Sequence, residues 1–170
     1  MPTPRKTLLS RDDAMAQVLA VYAELEQRPV ERHCTLRTEC CQFKLTGEVP
    51  YLTGGEALVA AHAFRALGQT KLPAKNDGSC PLLDSQTGRC QVYAARPFGC
   101  RTHFCSAAGG PYKRREVVDL IRRLEDIDTA LGGAGSRNLP VALKDALDAL
   151  HQKTGVRNIQ VKAAPRSRGR

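Results

Sequence analysis

The sequence predicts a mainly α-helical small domain with an irregular cysteine-rich segment and room for no more than a short β-hairpin. Three observations carry this. Apolar residues recur at helical spacing in four separate stretches. Between the second and third stretches, residues 70–112 are broken by Pro73, Asn76-Asp77-Gly78, Pro81, Gly88, Pro97, Gly99, Gly109-Gly110 and Pro111, which excludes a long helix. The seven cysteines stand at 34, 40, 41, 80, 90, 100 and 105, so the least regular part of the chain holds most of the thiols.

The first helix is expected over residues 10–28. Ser10 is a good N-cap, Asp12 and Asp13 suit the first turn, and Pro29 ends it. Its stripe is Met15, Val18, Leu19, Tyr22 and Leu25. Residues 33–52 read as irregular or short strand. Thr53-Gly54-Gly55-Glu56 is a capping box, in which Thr53 and Glu56 each satisfy the other's backbone N–H. The helix it opens carries Leu58, Ala61, Phe64 and Leu67 on one side and stops at Gly68. Gln91-Val92-Tyr93 fits a short strand. The third helix spans 113–131, with Val117, Leu120, Ile121, Leu124, Ile127 and Leu131 on its stripe. The fourth runs from Pro140, a favourable first helical residue, to His151, and buries Leu143, Leu147 and Leu150. With no Trp, four Phe and four Tyr, the core must be filled mostly by Ala, Leu and Val.

The 170 residues fit one domain over 1–156 and a tail over 157–170. Five of the nine net positive charges lie in that tail, on Arg157, Lys162, Arg166, Arg168 and Arg170, with no acid among them. Such a tail is expected to lack structure and to touch nucleic acid or acidic proteins weakly. No apolar run reaches the roughly 18 residues of a membrane span. No apolar secretory segment stands at the N-terminus either, so a cytoplasmic setting is expected.

In a reducing compartment, clustered cysteines bind metal or do chemistry, and an odd number leaves a thiol over in any all-disulfide scheme. Soft thiolates select zinc, copper(I) or iron–sulfur clusters. Four of them complete either a tetrahedral zinc site or a common cluster ligand set. A metal would also supply the constraint that residues 70–112 otherwise lack. Cys40 and Cys41 are adjacent, and in an extended stretch they would point to opposite faces, so one of the two is expected to face a given metal.

Cys34-x5-Cys40-Cys41, Pro50-Tyr51-Leu52-Thr53-x2-Glu56, Cys80-Pro81-Leu82-Leu83-Asp84 and Gly88-Arg89-Cys90-x2-Tyr93-x2-Arg96-Pro97-x2-Cys100-Arg101 follow one another in this order. Over residues 34–105 this run resembles the CxxCxxCC cysteine-cluster family, also called YkgJ-like, of zinc- or iron-chelating proteins. The chain departs from the pattern at Arg37, where the family has a cysteine. The resemblance implies a bound metal. Flagellin lysine methylases carry a similar signature, which favours an iron–sulfur cluster, most simply 4Fe-4S, over zinc. The expected ligands are Cys41, Cys80, Cys90 and Cys100, with Cys40 and Cys105 in reserve.

Arg96 and Arg101 are expected to offset the negative charge of four thiolates, although Arg96 could equally pair with Asp84. Arg96–Arg101 reads as a tight loop, in which Gly99 allows the backbone close to a sulfur. Asp84 suits a turn, Tyr93 suits packing against the site, and His103 is a further donor between Cys100 and Cys105. Three functions compete: a cluster protein with a redox, sensing or structural role; a structural zinc protein that binds nucleic acid or protein; and a metal-dependent enzyme related to the flagellin lysine methylases. No Ser/His/Asp order, phosphate loop, His-Glu-x2-His or CxxC motif singles out a catalytic residue.

Overall fold

The computed structural model describes residues 8–28, 32 and 34–155, with side chains to residue 152. Within these lie α1 (Arg11–Glu26), α2 (Phe43–Thr46), α3 (Gly54–Ala66), α4 (Phe98–Thr102), α5 (Arg114–Leu131) and α6 (Leu139–Gly155). The expected mainly helical fold is present, and the four long helices are those the apolar spacing marks. The basic tail expected over 157–170 lies outside the described residues.

Local sequence explains the helix ends. The Ser10 hydroxyl oxygen accepts the Asp13 N–H at 3.1 Å and opens α1. The Thr53–Glu56 capping box forms: Thr53 N–H donates to the Glu56 carboxylate at 2.9 Å and Glu56 N–H to the Thr53 hydroxyl at 3.4 Å. Gly132, at φ +81°, supplies the left-handed residue that ends α5.

Helix α3 lies at the centre and packs against α1, α5 and α6. It is therefore buried on more than the one side expected: Ala57 through Ala61 and Phe64 are all buried. Leu67, assigned to that side, is 54 % exposed at the C-cap. In α1 the buried face is Ala14, Val18, Val21, Tyr22 and Leu25, and Leu19 is 50 % exposed. The stripe is rotated because α1 meets α3 and α5 along its Val18–Val21–Leu25 edge.

The core has two parts that share α3. Val18, Val21, Leu120, Leu124 and Ile127 fill the α1–α3–α5 side. Leu52, Phe64, Leu139, Leu143 and Leu147 fill the α3–α6 side, where Cys80 is buried and Cys41, Cys90 and Cys100 pack against it. The cysteine-rich segment is thus laid on an apolar platform.

The β-structure differs from the expected hairpin. Strand β1 (Tyr51–Leu52) pairs antiparallel with β2 (Arg137–Asn138), Tyr51 opposite Asn138 and Leu52 opposite Arg137. Gln91-Val92-Tyr93 does not form a strand. Val92 sits at φ −111°, ψ 37°, outside the extended region, and Tyr93–Ala95 is one 3₁₀ turn. Cys90, just before this stretch, makes an isolated antiparallel bridge to Leu83.

Candidate metal centre

Three segments carry the central thiols. Thr38 takes a left-handed conformation, φ 57°, and the Cys41 N–H returns to the Thr38 carbonyl at 2.8 Å. Glu39–Cys41 is therefore a 3₁₀ turn rather than extended chain. Cys40 and Cys41 therefore sit on a turn and not on the extended stretch in which they would point to opposite faces. The next segment docks onto this turn, with the Cys80 N–H donating to the Cys41 carbonyl at 2.7 Å.

From Cys80 the chain folds back on itself. The Asp84 N–H donates to the Arg89 carbonyl and the Gln91 N–H to the Leu82 carbonyl, both at 2.9 Å, which returns Cys90 towards Cys80. The Asp84 carboxylate holds the turn by accepting the Gln86 and Thr87 N–H groups at 2.7 and 2.9 Å. Asp84 acts as the turn residue expected, and Arg96 does not pair with it.

Cys100 belongs to α4, so the expected tight loop is a single helical turn. A Cβ added at Gly99 would meet the Pro50 Cβ at 3.8 Å, an ordinary contact.

The five thiols form one electrostatic group. Burial is the largest influence on Cys80, pushed up to about 11, and on Cys90 and Cys100, both raised. Cys41 is raised first by the hydrogen bond it gives to Cys40, then by burial. Cys40 is the exception, lowered to about 6 chiefly because Cys41 donates to it, with help from His103 and Arg96. The thiols also raise one another: Cys100 feels Cys80, Cys40 and Cys90, and Cys41 feels Cys40, Cys80 and Cys100.

Among the described residues, no three His, Cys, Asp or Glu side chains are placed to hold a metal ion directly. The donor chemistry nevertheless fits a soft metal group. Thiols buried beside one another resist ionisation first because burial strips a thiolate of water, and then because each thiolate would repel the next. A cation among them reverses that penalty and takes the thiols as thiolates.

Cys34 and Cys105 lie apart from this group. Both line a cavity of about 150 Å³ that Cys40 and His103 also reach, and Cys105 meets the Thr35 hydroxyl at 3.8 Å. Arg37, where the family has a cysteine, is exposed and pairs with Glu39 at 3.1 Å. A second cavity, of about 210 Å³, borders Cys40, Cys100 and His103.

Arg96 stacks over the Tyr93 ring at 3.9 Å, and its charge lowers Cys40 and Cys90. Arg101 is buried and held elsewhere. It pairs with Glu26 at 2.7 Å, stacks over Tyr22 at 4.2 Å and donates to the Arg96 carbonyl at 2.9 Å.

One residue of the site was legible only as a cap. The buried Glu56 carboxylate also accepts the Phe98 N–H at 2.9 Å, and so fastens α4, with Cys100, to the start of α3. A carboxylate set among the apolar residues 57–61 at the start of α3 is the signal that could have found it.

No curated protein and no solved structure matches the chain. The profile of the CxxCxxCC family does, over residues 32–119, just over half of the sequence and the whole of this cysteine arrangement. The chain belongs to the CxxCxxCC family, described as a putative zinc- or iron-chelating domain.

Proposed function

We propose that this protein holds an iron–sulfur cluster, most simply 4Fe-4S, through Cys41, Cys80, Cys90 and Cys100, in a redox, sensing or structural role in the cytoplasm. The observation that carries the reading is that one apolar cluster buries Cys80 and has Cys41, Cys90 and Cys100 packed against it. Such a cluster supplies one-electron chemistry or a rigid crosslink. The chain's own residues do the rest. The Glu39–Cys41 turn and the Asp84 turn present the thiols, Glu56 anchors the α4 end, and Arg96 offsets negative charge.

Cys40 and Cys105 are the further thiols of this reading. The cavity beside Cys40, Cys100 and His103 favours one variant of it, in which a small ligand reaches the metal and the protein acts as an enzyme. Zinc in the same site is the alternative, with a structural role and binding through the basic tail.

Anaerobic purification, an absorption spectrum and iron, zinc and sulfide analysis on one sample test the proposal. A brown protein with about four iron and four sulfide per chain supports it. A colourless protein with about one zinc replaces it with the structural reading.

A further inference from the structure

A third cavity, of about 200 Å³, is lined by Arg96 and by no cysteine. Four guanidiniums line it, those of Arg28, Arg32, Arg96 and Arg101, against a single carboxylate, that of Glu26. Three of the four are fixed by stacking on a tyrosine: Arg32 on Tyr112 at 4.3 Å, Arg96 on Tyr93 at 3.9 Å and Arg101 on Tyr22 at 4.2 Å. Stacking settles the plane of a guanidinium without using its N–H donors.

The donors are not all used. Arg101 is satisfied by Glu26 and by the Arg96 and Ala94 carbonyls, and Arg28 pairs with Asp119. Arg32 reaches Glu116 at 3.5 Å through Nη2, and Arg96 reaches the Tyr93 carbonyl at 3.3 Å through Nη1. That leaves Arg32 Nη1 and Arg96 Nε buried with no hydrogen-bond partner among the described residues. A buried donor left without a partner loses its hydration for nothing in return, so two at one cavity need a reason.

We propose that this arginine cavity binds a small oxyanion, the phosphate or carboxylate group of a metabolite. Arg28, Arg32 and Arg101 each have a carboxylate partner, whereas Arg96 has none among the described residues, so the cavity keeps one unneutralised guanidinium, and the free donors of Arg32 and Arg96 match an anion's oxygens. The cavity is too small for a drug-sized ligand. Arg96, which lines this cavity, also carries the charge that lowers Cys40 and Cys90. The proposal does not depend on which metal they hold.

The test uses the full chain as purified, at constant ionic strength set with chloride so that diffuse attraction is screened equally throughout. Inorganic phosphate and succinate are titrated separately by calorimetry, into the wild type and into Arg32→Gln, Arg96→Lys and, as a surface control on α5, Arg122→Gln. Helical circular dichroism checks each variant's fold. We expect saturable binding of one ion per chain. It weakens about tenfold or more in Arg32→Gln and Arg96→Lys, as loss of a hydrogen bond to a charged group implies, and is unchanged in Arg122→Gln. Saturation by phosphate alone assigns a phosphate ligand, and saturation by succinate alone assigns a carboxylate. Absence of saturable binding by either probe, or equal affinity in the wild type and a folded Arg32→Gln or Arg96→Lys, overturns the proposal.

Discussion

Glu56 has two jobs that pull against each other. Three donors point at its carboxylate, the Thr53 N–H, the Thr53 hydroxyl and the Phe98 N–H, and they favour the charged form. Burial opposes them and is larger, so the carboxyl is raised above its ordinary value. An acid whose folded pKa lies above its unfolded one holds its proton more tightly when folded. Its stabilising contribution is full below the unfolded value and falls as pH rises through the folded one. Glu56→Gln cannot ionise. Denaturant unfolding from pH 4 to 7 should therefore show the wild type losing stability relative to Glu56→Gln as pH rises. A gap moving the other way would mean the donors outweigh burial. Glu56→Ala instead leaves buried donors unmatched and should cost on the order of 3 kcal/mol in the same measurement. At this scale the sequence was half legible. Thr53-x2-Glu56 is a local pattern and its cap forms as read. The bond to Phe98 spans 42 residues and leaves no local trace. The Cys40–Cys41 turn was hidden for a different reason: it depends on Thr38 adopting a left-handed conformation that a residue with a Cβ seldom takes.

Among the elements, α3 contributes to both parts of the core, and its first turn is closely packed. A Cβ on Gly55 would lie 2.9 Å from Val18 Cγ2 and 3.3 Å from Ile127 Cγ2, so α1, α3 and α5 close over a glycine. Gly55→Ala should overpack this junction by about 1–3 kcal/mol, against at most about 1 kcal/mol gained in helix propensity. A lowered thermal midpoint is the expected outcome, and an unchanged or raised one would show that the helices part freely. The long helices were readable because their apolar spacing is local and strongly periodic. The rotation of α1 that exposes Leu19 was not, since it depends on where α3 and α5 stand. The strand pair was unreadable for the same reason, joining residues 51–52 to 137–138 across most of the chain.

For the whole molecule, the helices supply most of the core, to which the cysteine segment adds Cys80, Leu82, Leu83 and Val92, and that segment is built of short turns. Chelation should therefore loosen the molecule unevenly. Hydrogen exchange after metal removal should rise in residues 34–50 and 69–105 and stay slow in α3, α5 and α6. Uniform loss of protection would mean that the metal carries the entire fold. The central claim concerns which thiols hold that metal, and metal content per chain in single cysteine variants tests it most directly. Cys41→Ala, Cys80→Ala, Cys90→Ala and Cys100→Ala, each checked for helical content, should lose most of the bound metal. Cys34→Ala, at an exposed position outside the coupled group, should keep it. Full metal content in all four of the former, or its loss in Cys34→Ala alone, would contradict the account.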